Sequence, residues 1–278
     1  MGTRNTPFKV HHLRIFNVEQ EKEITKRYTS GMSANNIAHQ YGVERKTIIR
    51  TLRRNNAIVR TSSASLRLPH NGHAFNKLTE ESAYWIGFLM ADGCILSRRH
   101  NVPASKVVLR LSEKDKSHVY RFKRFLSAKH KIVISRNKYG GLEYGIAITS
   151  NMLVKDLSKY GVGPRKSFTA KALSGIEHNR HFWRGVIDGD GSIGTHRGHA
   201  CISLNGSKAL LKQFKQYIIV AISPQFGGAV RPIKNIFRIQ AECKIARSII
   251  DNLYAQCNIA LPRKYAISKR LLREHHTQ

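Results

Sequence analysis

Acidic residues are scarce in this chain of 278: 17 Asp and Glu stand against 48 Lys and Arg, a formal net charge of +31. Such a field draws polyanions, and the bases run along the whole chain, so nucleic acid is the leading partner. Long apolar runs are missing too. No stretch approaches the roughly 20 residues a membrane-spanning helix needs, and no basic amphipathic anchor stands out, so no membrane partner is expected. Cysteine is sparse: Cys94, Cys201, Cys243 and Cys257 form no CxxC pair, which argues against a disulfide framework and a zinc site. His178/His181 and His196/His199 have metal-like spacing but no matching cysteines, and read as loop histidines near phosphate. Met1 to Val10 lack the apolar core of a secretory signal, so an intracellular, cytoplasmic protein is expected. With 41% hydrophobic residues the chain has material for sizeable cores, which excludes disorder as the default.

What is present falls into segments. In residues 1–60, Ile24 and Tyr28 fit one helix that stops near Ser30-Gly31. Ser33 suits the N-cap of a second helix carrying Ile37, Ala38 and Tyr41. Gly42-Val43 makes a turn, and a third helix from about Glu44 turns Ile48 and Leu52 inward. Its remaining surface holds Arg45, Lys46, Thr47, Arg50, Arg53 and Arg54. Two short helices, a glycine turn and a basic third helix resemble a helix-turn-helix DNA-binding domain, whose last helix enters the major groove. Residues 61–78, with Thr61-Ser62-Ser63-Ala64-Ser65 and Pro69-His70-Asn71-Gly72, read as an exposed linker.

From Thr79 the chain repeats itself. Tyr84-Trp85-Ile86-Gly87-Phe88-Leu89-Met90-Ala91-Asp92-Gly93 is matched by Phe182-Trp183-Arg184-Gly185-Val186-Ile187-Asp188-Gly189-Asp190-Gly191. Each copy is an apolar helical face around a glycine, ending in Asp-Gly. After the first come a strand (106–111), a helix (117–126), a hairpin (131–136 and 142–149, turning at Tyr139-Gly140-Gly141), a helix (151–160) and Pro164-Arg165-Lys166. After the second come a strand (200–204), a helix (207–219), strands (229–233 and 236–241), a helix from Lys244 and Pro262-Arg263-Lys264. The shared order predicts an α+β fold of two halves, 79–175 and 176–278, about a pseudo-twofold axis. Gly87 and Gly185 would let two backbones approach closely, and Gly93 and Gly191 would supply left-handed positions ending the helices.

These runs resemble the motifs of LAGLIDADG homing endonucleases, with matches over Trp85–Gly93 and Trp183–Gly191. The resemblance implies the αββαββα arrangement per half, here preceded by the small all-α domain. It implies a site-specific double-strand DNA endonuclease, a phosphodiester hydrolase, with Asp92 and Asp190 as metal-binding catalytic acids. The carbonyls of Ala91 and Gly189 would join them around two or three divalent ions, Mg²⁺ being suited to oxygen ligands. Met90 stands where the family often has an acid, while Asp188 keeps it and is assigned no essential role. Lys166 and Lys264, in matching places, are the candidates for stabilising charge on phosphate, with Lys171 and Lys269 in reserve.

Alternation would point Val107, Leu109 and Leu111 to the core and Lys106, Val108 and Arg110 outward. With Arg136, Lys138, Arg231, Lys234 and Arg238 these basic side chains would line two ribbons able to enter a major groove. The expected partner is a long, asymmetric DNA duplex bound by a monomer. A non-cleaving DNA-binding regulator and an intron RNA maturase are the alternatives. An intein is disfavoured, because Met1 and His276-Thr277-Gln278 lack the splicing nucleophile and terminal asparagine.

Overall fold

The computed structural model describes residues 15–30, 32–59, 68–97 and 104–273. The readings made on Met1 to Val10, Gly31, Thr61 to Ser65 and His276 to Gln278 lie outside these. The chain divides into two units, 1–67 and 68–278, each described by itself.

The first unit holds three short helices. Asn17 and Gln20 form a reciprocal capping box at the start of α1 (Val18–Thr29), whose ends carry Glu19 and Glu21, then Lys26 and Arg27, in accord with the helix dipole. The Ser33 side chain accepts from Asn36 N and opens α2 (Ala34–Gln40). Gly42, at φ +64°, turns the chain into α3 (Arg45–Arg54). Phe16, Ile24, Tyr28, Ile37, Ile48 and Leu52 close the core between them.

The second unit contains the repeat. Thr79 and Ser82 cap α4 (Glu80–Ala91). Then follow β1 (Gly93–Ser97), β2 (Ala104–Ser112), α5 (Lys116–Phe125), β3 (Val133–Arg136), β4 (Leu142–Thr149) and α6 (Asn151–Lys159). The second half runs α7 (Arg180–Asp190), β5 (Gly191–His196), β6 (His199–Gly206), α8 (Lys208–Ala221), β7 (Arg231–Ile233), β8 (Ile236–Glu242) and α9 (Cys243–Tyr254). A further helix, α10 (Pro262–Arg273), follows it. Each half carries a four-stranded antiparallel sheet, ordered β1-β2-β4-β3 and β5-β6-β8-β7.

On β2 the alternation is as expected: Val107, Leu109 and Leu111 are buried, Lys106 and Arg110 exposed. The helices pack on the buried side of each sheet and leave the other side open.

α4 and α7 form the central seam. α4 is apolar nearly all round, as a helix buried on every side must be, whereas α7 carries Arg184 and Asp188 inside its buried run. At Gly87 a methyl group would overlap the carbonyl oxygen of Phe182 and approach its carbon to 2.9 Å. At Gly185 it would overlap the carbonyl oxygen of Tyr84 and approach the Phe88 nitrogen to 2.7 Å. The two glycines are reciprocal: each admits the other helix's backbone.

Three expectations are corrected. Neither Gly93 nor Gly191 is left-handed, and Gly191 has φ −82° and ψ 168°. Each passes directly from helix to strand with its α-carbon pressed on the last helical turn, where a methyl would meet the Leu89 oxygen at 2.7 Å or the Ile187 oxygen at 2.7 Å. The strands β1 and β5 therefore begin at the motif glycines, where none was expected. Residues 68–78 are docked onto the core, not strung out as a linker: Phe75 is fully buried against Phe125, and Asn71 N donates to Leu126 O.

Candidate active site and nucleic-acid interface

The reciprocal glycines hold α4 and α7 in register, so their C-terminal ends lie together. Asp92 caps α4 and Asp190 is the last residue of α7. A side chain at Gly189 would overlap the Cβ of Ala91 and stand 3.4 Å from the Asp92 nitrogen, so the small residues Ala91 and Gly189 let the two ends meet.

Burial raises the carboxyls of both acids above their ordinary value. That of Asp190 is pushed up to about 6, with the neighbouring charge of Asp92 adding to the burial. Lys166 and Lys264 oppose this, their charges favouring the ionised acids. Burial in turn depresses both ammonium groups, that of Lys264 to about 8. The structure thus brings Asp92, Asp190, Lys166 and Lys264 to one place. Lys171 and Lys269 are exposed, Lys269 lying over the Tyr265 ring.

The two lysines are held differently. Lys264 is buried, with its Nζ donating to the carbonyls of Ile187 (2.6 Å), Asp188 (2.8 Å) and Gly191 (2.6 Å), and Gly189 O at 3.5 Å. Those of Asp188 and Gly189 are carbonyls that the helix end leaves without an intrahelical partner, while Ile187 O also accepts from the Gly191 amide. Lys166 is half-buried and donates to Gly93 O.

Among the described residues no group of three or more Asp, Glu, His or Cys side chains is arranged to hold a metal ion. The donors available to a cation here are two adjacent carboxylates and backbone carbonyls. Two acids with raised affinity for protons fit a hard divalent ion that keeps several of its waters.

Asp188 has a different position from the one its neighbourhood in sequence suggests. It is fully buried. Its Oδ2 accepts from the Tyr84 hydroxyl (2.8 Å) and the Leu261 amide (2.6 Å), and its Oδ1 from the Tyr254 hydroxyl (2.6 Å). Burial and the charge of Asp188 push both phenols well up, so they remain donors. Tyr84 gives its proton to Asp188, so its oxygen accepts from His118 Nε2 at 2.8 Å. Burial depresses that imidazole to about 3 and keeps it neutral.

Arg184 is also fully buried. It donates to Ile259 O (2.7 Å), Leu253 O (3.0 Å) and Glu80 Oε1 (2.8 Å), and Glu80 accepts from the Asn258 amide. His181, read as a phosphate-side loop residue, belongs to this cluster, beside Arg184 (3.0 Å) and Glu80 (3.6 Å). His196 pairs with Glu242 at 3.1 Å.

Of these network residues, Tyr84, Arg184, Glu80, Tyr254 and His118 were not anticipated. The signal was Arg184 and Asp188 themselves: two charges four positions apart in an apolar helix, where the first copy has Ile86 and Met90.

The open sheet faces and hairpins carry the expected bases. Lys106, Arg110, Arg136, Lys138, Arg231, Lys234 and Arg238 are exposed. Arg110 lies 3.8 Å from Glu143, Arg136 donates to Gly140 O, and Lys138 sits over the Tyr139 ring. Arg231 and Arg238 are direct cross-strand partners, a like-charge pairing that a polyanion would relieve. In the first unit Arg45, Lys46 and Arg50 are exposed and Thr47 half-buried, Lys46 pairing with Glu44. Arg54 is also exposed, but its guanidinium is engaged by buried Glu21 at 2.6 Å.

No family model matches the chain, and no curated protein does. Its structural neighbours are LAGLIDADG homing endonucleases. They include I-DmoI in complex with DNA and Ca, 16% identical over 72% of this chain and 99% of that one, TM-score 0.49. The homing endonuclease I-WcaI bound to its DNA recognition sequence is 12% identical, covering 72% and 90%, TM-score 0.48. The I-SmaMI LAGLIDADG homing endonuclease bound to cleaved DNA is 14% identical, covering 72% and 91%, TM-score 0.46. None is close enough to transfer a residue's role to this chain.

Proposed function

We propose that the chain is a site-specific, double-strand DNA endonuclease of the LAGLIDADG type, acting as a monomer on a long, asymmetric duplex. One observation carries the reading. Two acids with raised proton affinity meet at paired helix ends, beside two lysines, in a unit whose two sheets leave basic faces open. A purely structural seam has no use for two partly buried carboxylates set against each other, since their repulsion costs stability.

In this reading Asp92 and Asp190, with the carbonyls of Ala91 and Gly189, would hold Mg²⁺, which supplies an activated water and neutralises charge on the scissile phosphate. Lys106, Arg110, Arg136 and Lys138 would follow one part of the duplex, and Arg231, Lys234 and Arg238 another. The first unit would add a helix-turn-helix contact through Arg45, Lys46, Thr47 and Arg50, with Arg54 tying α3 to Glu21 of α1.

Selection from a randomised duplex library with Mg²⁺ tests this. Intact protein is expected to cut a defined site, and Asp92→Asn and Asp190→Asn to bind that site without cutting. Specific binding by intact protein with no cleavage in any divalent ion would replace the nuclease with a DNA-binding regulator.

A further inference from the structure

Resting on the nuclease reading, we infer that the two motif lysines have different jobs: Lys166 alone touches the scissile phosphate, and Lys264 is a positioning residue for Asp190.

An ammonium has three N–H groups. Those of Lys264 are saturated by the carbonyls of Ile187, Asp188 and Gly191, all within 2.8 Å. None remains for a phosphate unless the end of α7 comes apart. Lys264 also lies in α10, near the start of a twelve-residue helix. It closes the end of α7 and so sets where Asp190 stands.

Lys166 is bound to one carbonyl, that of Gly93, among the described residues, leaving two N–H groups beside Asp92 and Asp190. It follows Arg165 at φ +54° and belongs to a single 3-10 turn (Lys166–Phe168) in a stretch without α-helix, where Phe168 and Leu173 are exposed. A side chain so placed can swing to a phosphate without dismantling a helix. One mobile lysine for two scissile phosphates makes the strands inequivalent, so a nicked intermediate accumulates before the second cut.

The test uses the full chain on its selected target, with the two DNA strands labelled separately, and thermal unfolding without DNA or metal. Lys166→Met is expected to slow cleavage by roughly 10²–10³-fold, as loss of one charge-stabilising donor does, with target binding and Tm nearly unchanged. Lys264→Gln keeps two donors for the α7 carbonyls and is expected to cut within about tenfold of wild type, the difference falling within positioning effects. Lys264→Met is expected to lower Tm by several degrees, in line with loss of a buried hydrogen-bonded group. Equal losses from Lys264→Gln and Lys166→Met, or no loss from Lys166→Met, would overturn the division of labour while leaving the nuclease reading intact. Absence of cleavage by intact protein would overturn both.

Discussion

The two halves solve one problem in two ways. Each must end a buried helix with a partly exposed acid at a crowded seam. In the first half the helix is apolar to its last turn: Ile86 and Met90 are buried among side chains, and Thr79 with Ser82 caps the other end. In the second half the same two places are Arg184 and Asp188, both fully buried and hydrogen-bonded. Their partners come from both halves, Glu80 and Tyr84 from the first, Tyr254, Ile259 and Leu261 from the second. The first half is held by packing, which tolerates exchange of similar volumes. The second is held by charge, which fails sharply when one partner is removed. The polar half also locks the loop after α9 onto the seam, and thereby delivers Lys264 to the end of α7.

The shared part of the comparison gives the largest expected effect. Gly87→Ala and Gly185→Ala should each cost about 4 kcal/mol or more, beyond ordinary overpacking, because the added methyl meets backbone and not a yielding side chain. Chemical unfolding of both variants measures it. Similar losses would support a two-fold seam, and a tolerated substitution in either copy would break it.

The halves should part company one turn further on. Asp188→Asn is expected to cost about 3 kcal/mol, since the amide keeps one acceptor oxygen but turns an NH2 group against donors that the carboxylate satisfied, and Lys264 loses a counter-charge. Met90→Leu, a change of shape without polarity at the matching place, should cost less than about 1.5 kcal/mol. Parity between the two in urea titrations would erase the distinction between a packed half and a charged one.

The acids themselves should oppose folding. Asp190 titrates near 6 in the fold against 3.8 ordinarily, so the folded state binds the proton more tightly. The associated stability is full below about pH 3.8 and is lost as pH rises to about 6. At pH 7 without divalent ions, Asp190→Asn should therefore be more stable than wild type by about 2 kcal/mol, discounted for the group's partial exposure. The gap should close at pH 4, and Mg²⁺ should raise the Tm of wild type more than that of the variant. A variant less stable than wild type at pH 7 would mean that the lysines outweigh burial.

How much of this was legible along the chain depended on the distance over which each residue acts. Gly87 and Gly185 declared a close approach because a glycine inside an apolar helix weakens it unless something passes by. Val107, Leu109 and Leu111 declared a two-sided sheet by alternation. The two halves followed from repeated element order. β1 and β5 were hidden because they start at the motif glycine itself and are short, five and six residues. Phe75 was overlooked as a lone aromatic in a polar stretch, and α10 lay beyond the last element that the repeat suggested. The role of Asp188 could not be read locally: Tyr84, Tyr254 and Leu261 lie 104, 66 and 73 positions from it, and nothing along the chain says they converge.

The smallest effects belong to the open sheet faces, where the comparison is one of charge alone. In the first half Arg110 already has a carboxylate neighbour, Glu143. In the second, Arg231 and Arg238 face each other across the ladder, and Arg238 donates to the Asn205 side-chain oxygen at 2.9 Å, with no carboxylate partner among the described residues. Removing Arg231 should leave stability unchanged or raise it by a few tenths of a kcal/mol by relieving like-charge contact, while removing Arg110 should do neither. On DNA, each loss should lower the slope of log affinity against log salt by about 1 if the side chain meets a phosphate. Titrations at several salt concentrations separate the outcomes. An unchanged slope for Arg231→Ala would mean that the second sheet does not follow the duplex, and that the paired acids serve a substrate lying over the first half.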